Sequence, residues 1–140
     1  MELKVPTNEV APWPAYVVTG KAGGALTPGQ VAVSSDSISF AAAGTASEVL
    51  KGIVLWDGRK DSYSTGDVVP VLVLGVGVVK TDAAVAVGAL LETSTVAAAG
   101  QVRTYVIGTD SNEVSMRKVF ARALTVGGTN AKALVLLNQA

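Results

Sequence analysis

The sequence predicts an all-β domain, and two observations support that prediction. The longest apolar run of the 140-residue chain, residues 67–81, is rich in Val, and Pro70, Gly75 and Gly77 would each weaken a helix there. A short motif of small residue, any residue, Gly, any residue and aliphatic residue also recurs along the chain. We therefore expect turn-and-strand units arranged around one long central strand.

The apolar side chains of this central run fall on both faces of a strand. One face carries Val71, Val73 and Val79, and the other carries Leu72, Leu74, Val76 and Val78. Such a strand needs cover on both sides, from the interior of a sandwich or from a partner subunit. Two glycines on one face leave a stripe of backbone that another chain or an aromatic ring can approach closely. We therefore predict an oligomer interface at Gly75, Gly77, Val73 and Val79.

The N-terminal residues 1–15 are predicted to form an extended arm, because Pro6, Pro12 and Pro14 favour extended backbone. The arm is too short to build a core of its own, and Trp13 is costly to leave in water. A disordered tail is the alternative, and we favour an arm that docks on a partner. The residues predicted to make that contact are Leu3, Val5, Val10, Pro12, Trp13 and Pro14.

The β domain is predicted to span residues 16–140, since a periodic apolar pattern begins at Tyr16. Residues 27–30, Thr-Pro-Gly-Gln, carry Pro and Gly where a type II turn needs them. The most polar segment, residues 57–66, is expected to be an exposed loop before the central strand. Other apolar segments predict strands at residues 31–33, 38–40, 49–56, 85–91, 102–107 and 134–137.

The turn motif occurs at residues 27–31, 64–68 and 86–90, and a looser copy at residues 126–128 precedes the last strand. Each copy places a glycine turn just before a strand, as in an all-β domain built from repeated units. Chance is the alternative explanation in a chain so rich in Gly and Val.

One segment before the last copy of the motif fits two structures. Residues 110–120 could begin with a capping box and form a helix. The alternative is a loop followed by a strand within residues 119–126, and we favour it because the turn pattern recurs directly after.

Composition indicates a protein with little polar cover. Only 16% of the residues are charged, against about 25% in average soluble domains, and 49% are hydrophobic. Aromatic residues make up 5%, so the apolar area is spread over many small side chains. Oligomerisation or burial on a larger surface is the simplest remedy, and an ordinary monomer with some exposed Ala is the alternative.

The residue types that the chain lacks exclude several function classes. It has no Cys and no His, which removes disulfides, thiolate and imidazole metal sites, and catalysis by either side chain. Asp57 and Asp61 share a loop, but Arg59 and Lys60 lie between them and the alternating pattern of a calcium loop is absent. We predict no catalytic, cofactor-binding or metal site, and no enzyme activity.

The charge balance argues against nucleic acid as a direct partner, since Lys plus Arg and Asp plus Glu number 11 each. No apolar run approaches the roughly 18 residues of a membrane span. The N-terminus also lacks the basic and apolar regions of a secretory leader. We therefore expect neither direct nucleic-acid binding nor a membrane partner.

From Lys21 onward the order of elements resembles the capsid cement, or head decoration, proteins of tailed bacteriophages. The matching segments are residues 22–31, 52–58, 77–80 and 121–137. The resemblance covers most of the domain, and it depends on the order and length of the segments, since each of them alone is a glycine turn beside apolar strands.

The resemblance implies a small β domain of the clip or tulip type that forms homotrimers. Such a protein sits on the outside of the expanded head, bridges subunits of the major capsid protein and stabilises the shell without catalysis. It also implies that the Pro-containing arm is a capsid-binding extension. The expected location is therefore the outer capsid surface of the virion, after assembly in the host cytoplasm.

A carrier domain of the lipoyl or biotinyl type is the competing interpretation. Lys80 follows a strand rich in Gly and Val and lies near a turn, as the modified lysine of such a domain does. It lacks the flanking acidic or Met neighbour of those families. An enzyme built on Asp and Lys alone ranks third.

Overall fold

Nine β-strands form the regular structure of the described part of the chain. The structure, a computed structural model, describes residues 15–34, 39–43, 51–94, 100–106, 118–129 and 131–137. The strands are β1 (Tyr16–Ala22), β2 (Val31–Ser34), β3 (Ser39–Ala42), β4 (Lys51–Val54), β5 (Val68–Thr81), β6 (Leu90–Thr93), β7 (Val102–Thr104), β8 (Ala121–Ala123) and β9 (Ala131–Leu137). The all-β prediction is confirmed, and β5 is the predicted central strand.

The strands close into two rings that share β5. In the first ring, β1 pairs with β3, β3 with β2, β2 with β4, β4 with β5, and β5 with β1. In the second ring, β5 pairs with β7, β7 with β6, β6 with β8, β8 with β9, and β9 with β5. Residues 68–74 of β5 serve the first ring and residues 75–81 serve the second. Closure of this kind removes most free strand edges.

The second ring repeats the connectivity of the first. Both rings contain one parallel pairing, β1 with β3 and β5 with β7, and the other pairings are antiparallel. The turns match as well, because Gly29 N–H donates to Val54 O at 2.9 Å and Gly88 N–H donates to Ala123 O at 2.8 Å. We call β1 to β4 with residues 68–74 the first half. The second half consists of residues 75–81 with β6 to β9, and its elements correspond in chain order to those of the first half.

The four copies of the turn motif lie at the turns before β2, β5, β6 and β9, two in each half. Gly29, Gly66 and Gly88 have φ angles of 91°, 91° and 84°, a left-handed conformation that favours glycine. Isolated bridges pair residues next to these copies. Leu26, just before the first copy, pairs with Tyr63, just before the second, and Val85, just before the third, pairs with Gly127 of the fourth. The predicted repeat is therefore a real structural repeat, and its looser fourth copy provides the partner of the third.

Two clusters of buried side chains form the core. The first ring encloses Ala22, Leu26, Ala32, Val54, Tyr63, Val69 and Val71. A larger cluster fills the second ring and also takes Val31, Ala43, Ile53 and Leu72 from the first half, so the two halves pack on each other. The two halves fill their interiors with side chains of different size at equivalent positions. The first half has the large Tyr63 where the second has Gly127, and it has the small Ala32 where the second has Leu91.

One expectation from the sequence needs correction, and another is met only in part by the single chain. Tyr63 lies in the predicted exposed loop, yet it is 1% exposed, because its bridge to Leu26 draws the ring into the first core. Its hydroxyl donates to Leu55 O at 2.7 Å. Cover on both faces of β5 is also incomplete, since Val78 is 46% exposed. Packing between the halves buries Leu72 on that face, but it does not reach Val78.

The remaining predictions fall partly outside the described residues. The arm is described only at Ala15, and residues 110–117 are not described. Lys118 has helical conformation, and β8 follows it within the range expected for a strand.

Candidate interaction surfaces

The glycine stripe of β5 is filled by the chain itself. A Cβ atom at Gly77 would lie 2.8 Å from Leu72 Cδ2 and 3.1 Å from Ile53 Cδ1. Gly75 and Val79 are also buried, and Val73 packs against the first core. Side chains of the first half therefore approach the stripe at Gly77, and the oligomer interface predicted at Gly75, Gly77, Val73 and Val79 stays a prediction. The prediction that copies of the chain associate stays a prediction.

β1 presents an exposed apolar edge that the sequence analysis missed. Tyr16, Val17 and Val18, which we call the β1 patch, are 63%, 51% and 40% exposed. β5 pairs with one edge along residues 16–21, whereas β3 reaches the other edge only at the end of β1. Among the described strands, none lies beside the other edge of residues 16–20. An apolar strand edge of this kind favours pairing with another segment.

The β1 patch begins directly after the predicted arm. The six arm residues predicted to contact a partner, Leu3, Val5, Val10, Pro12, Trp13 and Pro14, lie outside the described residues. The signal for the patch was available in the sequence, because three consecutive large apolar residues follow the arm. Arm and patch are therefore continuous along the chain.

Other exposed apolar side chains agree with the thin polar cover expected from composition. Trp56, directly after β4 and its neighbour Leu55, is 64% exposed, and Val87 and Val126 at two turn copies are 65% and 69% exposed. Single exposed apolar residues are common on proteins.

The polar loop before β5 is held together by its own carboxylates. Asp57 accepts backbone N–H bonds from Arg59 and Lys60, at 2.9 and 3.1 Å, and these bonds lower the pKa of its carboxyl group. Asp67 accepts the Ser64 N–H at 2.8 Å and pairs with Lys60 Nζ at 3.0 Å, which lowers its pKa as well. Among the described residues, no group of three acidic side chains could hold a metal ion. The loop carboxylates are turn acceptors.

An open cleft lies on the outer surface of the second half. Its volume is about 450 Å³, and it is lined by Lys80, Gln101, Ala131 and Lys132. Lys80 lies opposite Lys132 in the pairing of β5 with β9, and its Nζ donates to Thr27 Oγ1 at 3.1 Å. A lysine held within a sheet in this way does not protrude from a turn, as a carrier lysine would.

The comparisons with known proteins concern the fold. No protein-family model matches the chain, and no curated protein matches it. Among solved structures, the chain is similar to the N base of the head fiber gp8.5 of bacteriophage phi29. The TM-score is 0.59 and the identity is 16%, with 91% of this chain and 97% of that chain covered. The likeness shows that almost the whole chain shares the fold of that base.

Because 91% of the chain is covered, most of both halves belongs to the common architecture. No helix within the described residues is long and apolar enough to cross a membrane.

Proposed function

We propose that the chain is a structural protein of a phage head. In this proposal it decorates the outside of the expanded capsid, bridges neighbouring subunits of the major capsid protein and stabilises the shell. The observation that carries the proposal is the likeness over nearly the full length to the base of a phage head fiber. The resemblance of the sequence to cement proteins points the same way. The role is mechanical and requires no catalysis.

The exposed apolar edge of β1 supports a docking role for the arm. Residues 10–18, from the second part of the arm into the β1 patch, form one continuous apolar stretch, and three prolines restrict the arm before it binds. That restriction lowers the conformational entropy lost on docking, which is about 1 to 2 kcal/mol for each ordinary backbone residue. Burial of Trp13 and the β1 patch offsets the remainder. We propose that both contact the capsid, and that the chain acts as a homotrimer there.

A base that attaches a projecting fiber to the head is the second candidate, and the name of the structural neighbour favours it. The two roles differ in what they do to the shell. A cement protein bridges subunits and therefore raises the temperature at which heads release their DNA. A fiber base occupies its site without that effect.

The experiment that separates these roles is a heat-release assay on expanded heads assembled without the protein. Adding the purified chain is expected to raise the temperature of DNA release, because a protein that binds across subunits of the intact shell, and not to the disrupted shell, stabilises the intact state. Serum albumin at the same concentration is the control. Binding without any rise in release temperature would favour the fiber base, and an absence of binding would contradict both roles.

A further inference from the structure

The open cleft carries two lysines that face each other across two strands. Lys80 on β5 and Lys132 on β9 are direct partners in the antiparallel register, and both side chains line the cleft. The neighbouring register pairs of the same strands, Thr81 with Ala131 and Val79 with Ala133, include the buried residues Thr81 and Val79. The lysine pair therefore lies on the outer face, where a ligand can reach it.

The positive charge of this pair is not neutralised within the described residues. Lys80 Nζ donates to the neutral hydroxyl of Thr27, and no described carboxylate forms an ion pair with Lys80 or Lys132. Asp82, close to Lys80 in sequence, instead accepts a hydrogen bond from the Ser94 hydroxyl. Like charges placed directly opposite each other destabilise an antiparallel pair. An anion in the cleft would remove that cost.

The internal duplication provides a comparison for this site. The pair in the first half that corresponds to Lys80 and Lys132 is Lys21 and Val68. The residue that corresponds to Ala131 is Asp67, which forms an ion pair with Lys60. The second half therefore has Ala131 where the first half has the carboxylate of Asp67, and it has the ammonium group of Lys132 where the first half has Val68. Both differences make the cleft more positive, and the small Ala131 leaves it open.

Gln101 adds a polar group to the cleft wall. Its Oε1 is buried and has no hydrogen-bond partner among the described residues. Amide oxygen and nitrogen positions are assigned from the hydrogen-bond network. Turning this amide to present its NH₂ group therefore breaks no hydrogen bond of that oxygen, so Gln101 can serve as a donor beside the two lysines.

We propose that this cleft binds an oxyanion, a carboxylate or phosphate group held between the ammonium groups of Lys80 and Lys132 with Gln101 as a further donor. Hydrogen bonds from an ammonium group to an anionic oxygen are about twice as strong as neutral ones. The chain has equal numbers of acidic and basic residues, 11 each, so the site is a local feature and not part of a basic field for nucleic acid. Its ligand is one anionic group.

The test measures the melting temperature of the full chain in sodium phosphate, in sodium succinate and in sodium chloride at matched ionic strength. At ten times the dissociation constant, phosphate or succinate is expected to raise the melting temperature by about 4 °C above chloride. The Lys132→Val variant has valine at this position, as the first half does at Val68, and it is expected to lose this rise in melting temperature. The Lys21→Ala variant removes the equivalent lysine and is expected to keep it.

A rise in melting temperature with only one of the two anions shows whether the site prefers a phosphate or a carboxylate group, and it supports the proposal. A rise with both anions supports it as well. Equal melting temperatures in all three salts, or a full phosphate and succinate response in Lys132→Val, would overturn it. Should Lys132→Val fold poorly, Lys80→Met serves as a second variant. Saturable shifts of the backbone amide signals of Lys80, Gln101 and Lys132 during anion titration are expected as an independent readout, and their absence would also overturn the proposal.

Discussion

Replacing Gly77 by alanine tests whether the glycine stripe of β5 is an internal contact. The added methyl would lie 2.8 Å from Leu72 Cδ2 and 3.1 Å from Ile53 Cδ1, closer than carbon atoms pack without adjustment. Overpacking of this kind costs about 1 to 3 kcal/mol, and removing a glycine from a strand returns about 0.5 to 1 kcal/mol. We expect Gly77→Ala to lower the free energy of unfolding by about 1 to 2 kcal/mol, or the melting temperature by about 3 to 7 °C.

The assay is urea unfolding at two protein concentrations, with Gly24→Ala as the control because nothing lies within 4 Å of a Cβ atom there. The loss in Gly77→Ala is expected to be the same at both concentrations, since the clash is inside one chain. Shortening the nearest side chain with Leu72→Val should lessen the cost, which a double-mutant cycle measures. A loss that appears only at the concentration where copies associate would refute the internal contact and support the predicted oligomer interface.

Three further predictions concern single groups. Tyr63→Phe leaves the Leu55 carbonyl without its 2.7 Å donor and is expected to cost about 1 kcal/mol in urea unfolding; an unchanged midpoint would contradict a stabilising role of this half-buried hydrogen bond. Asp57 and Asp67 have lowered pKa values in the folded chain, so their stabilisation is present above about pH 4 and is lost as pH falls further. The Asp67→Asn variant should therefore show a shallower loss of melting temperature in acid, and an identical slope would count against the effect. Mass spectrometry of the chain from its natural host should give the mass of the bare chain, and an added lipoyl or biotinyl group on Lys80 would establish the carrier interpretation.

Local features were predictable from the sequence because local residue types determine them. The Val-rich run with its glycines could be assigned to β5, since a helix there would be weakened at three positions. The turn motif could be assigned as well, because a left-handed residue before a strand strongly favours glycine at Gly29, Gly66 and Gly88. The all-β class follows from these two features together.

Features that depend on distant pairing were not predictable. The motif specifies a turn but not the segment that the turn meets, so the bridges from Leu26 to Tyr63 and from Val85 to Gly127 could not be derived. The same limit applies at Gly77, because the sequence shows an open stripe but not whether the same chain fills it. The cleft was missed for this reason too, since a lysine pair across β5 and β9 exists only through their register.

The most direct test of the proposed role is a cosedimentation isotherm with expanded phage heads, measured for the full chain and for a deletion of residues 2–14. We predict that the full chain binds saturably to expanded heads, and that the deletion binds at least tenfold more weakly, a loss of about 1.4 kcal/mol, with little change in its own melting temperature. Equal binding of the two proteins would show that the arm does not contribute and that attachment resides in the domain. No binding of the full chain to expanded heads would contradict the account.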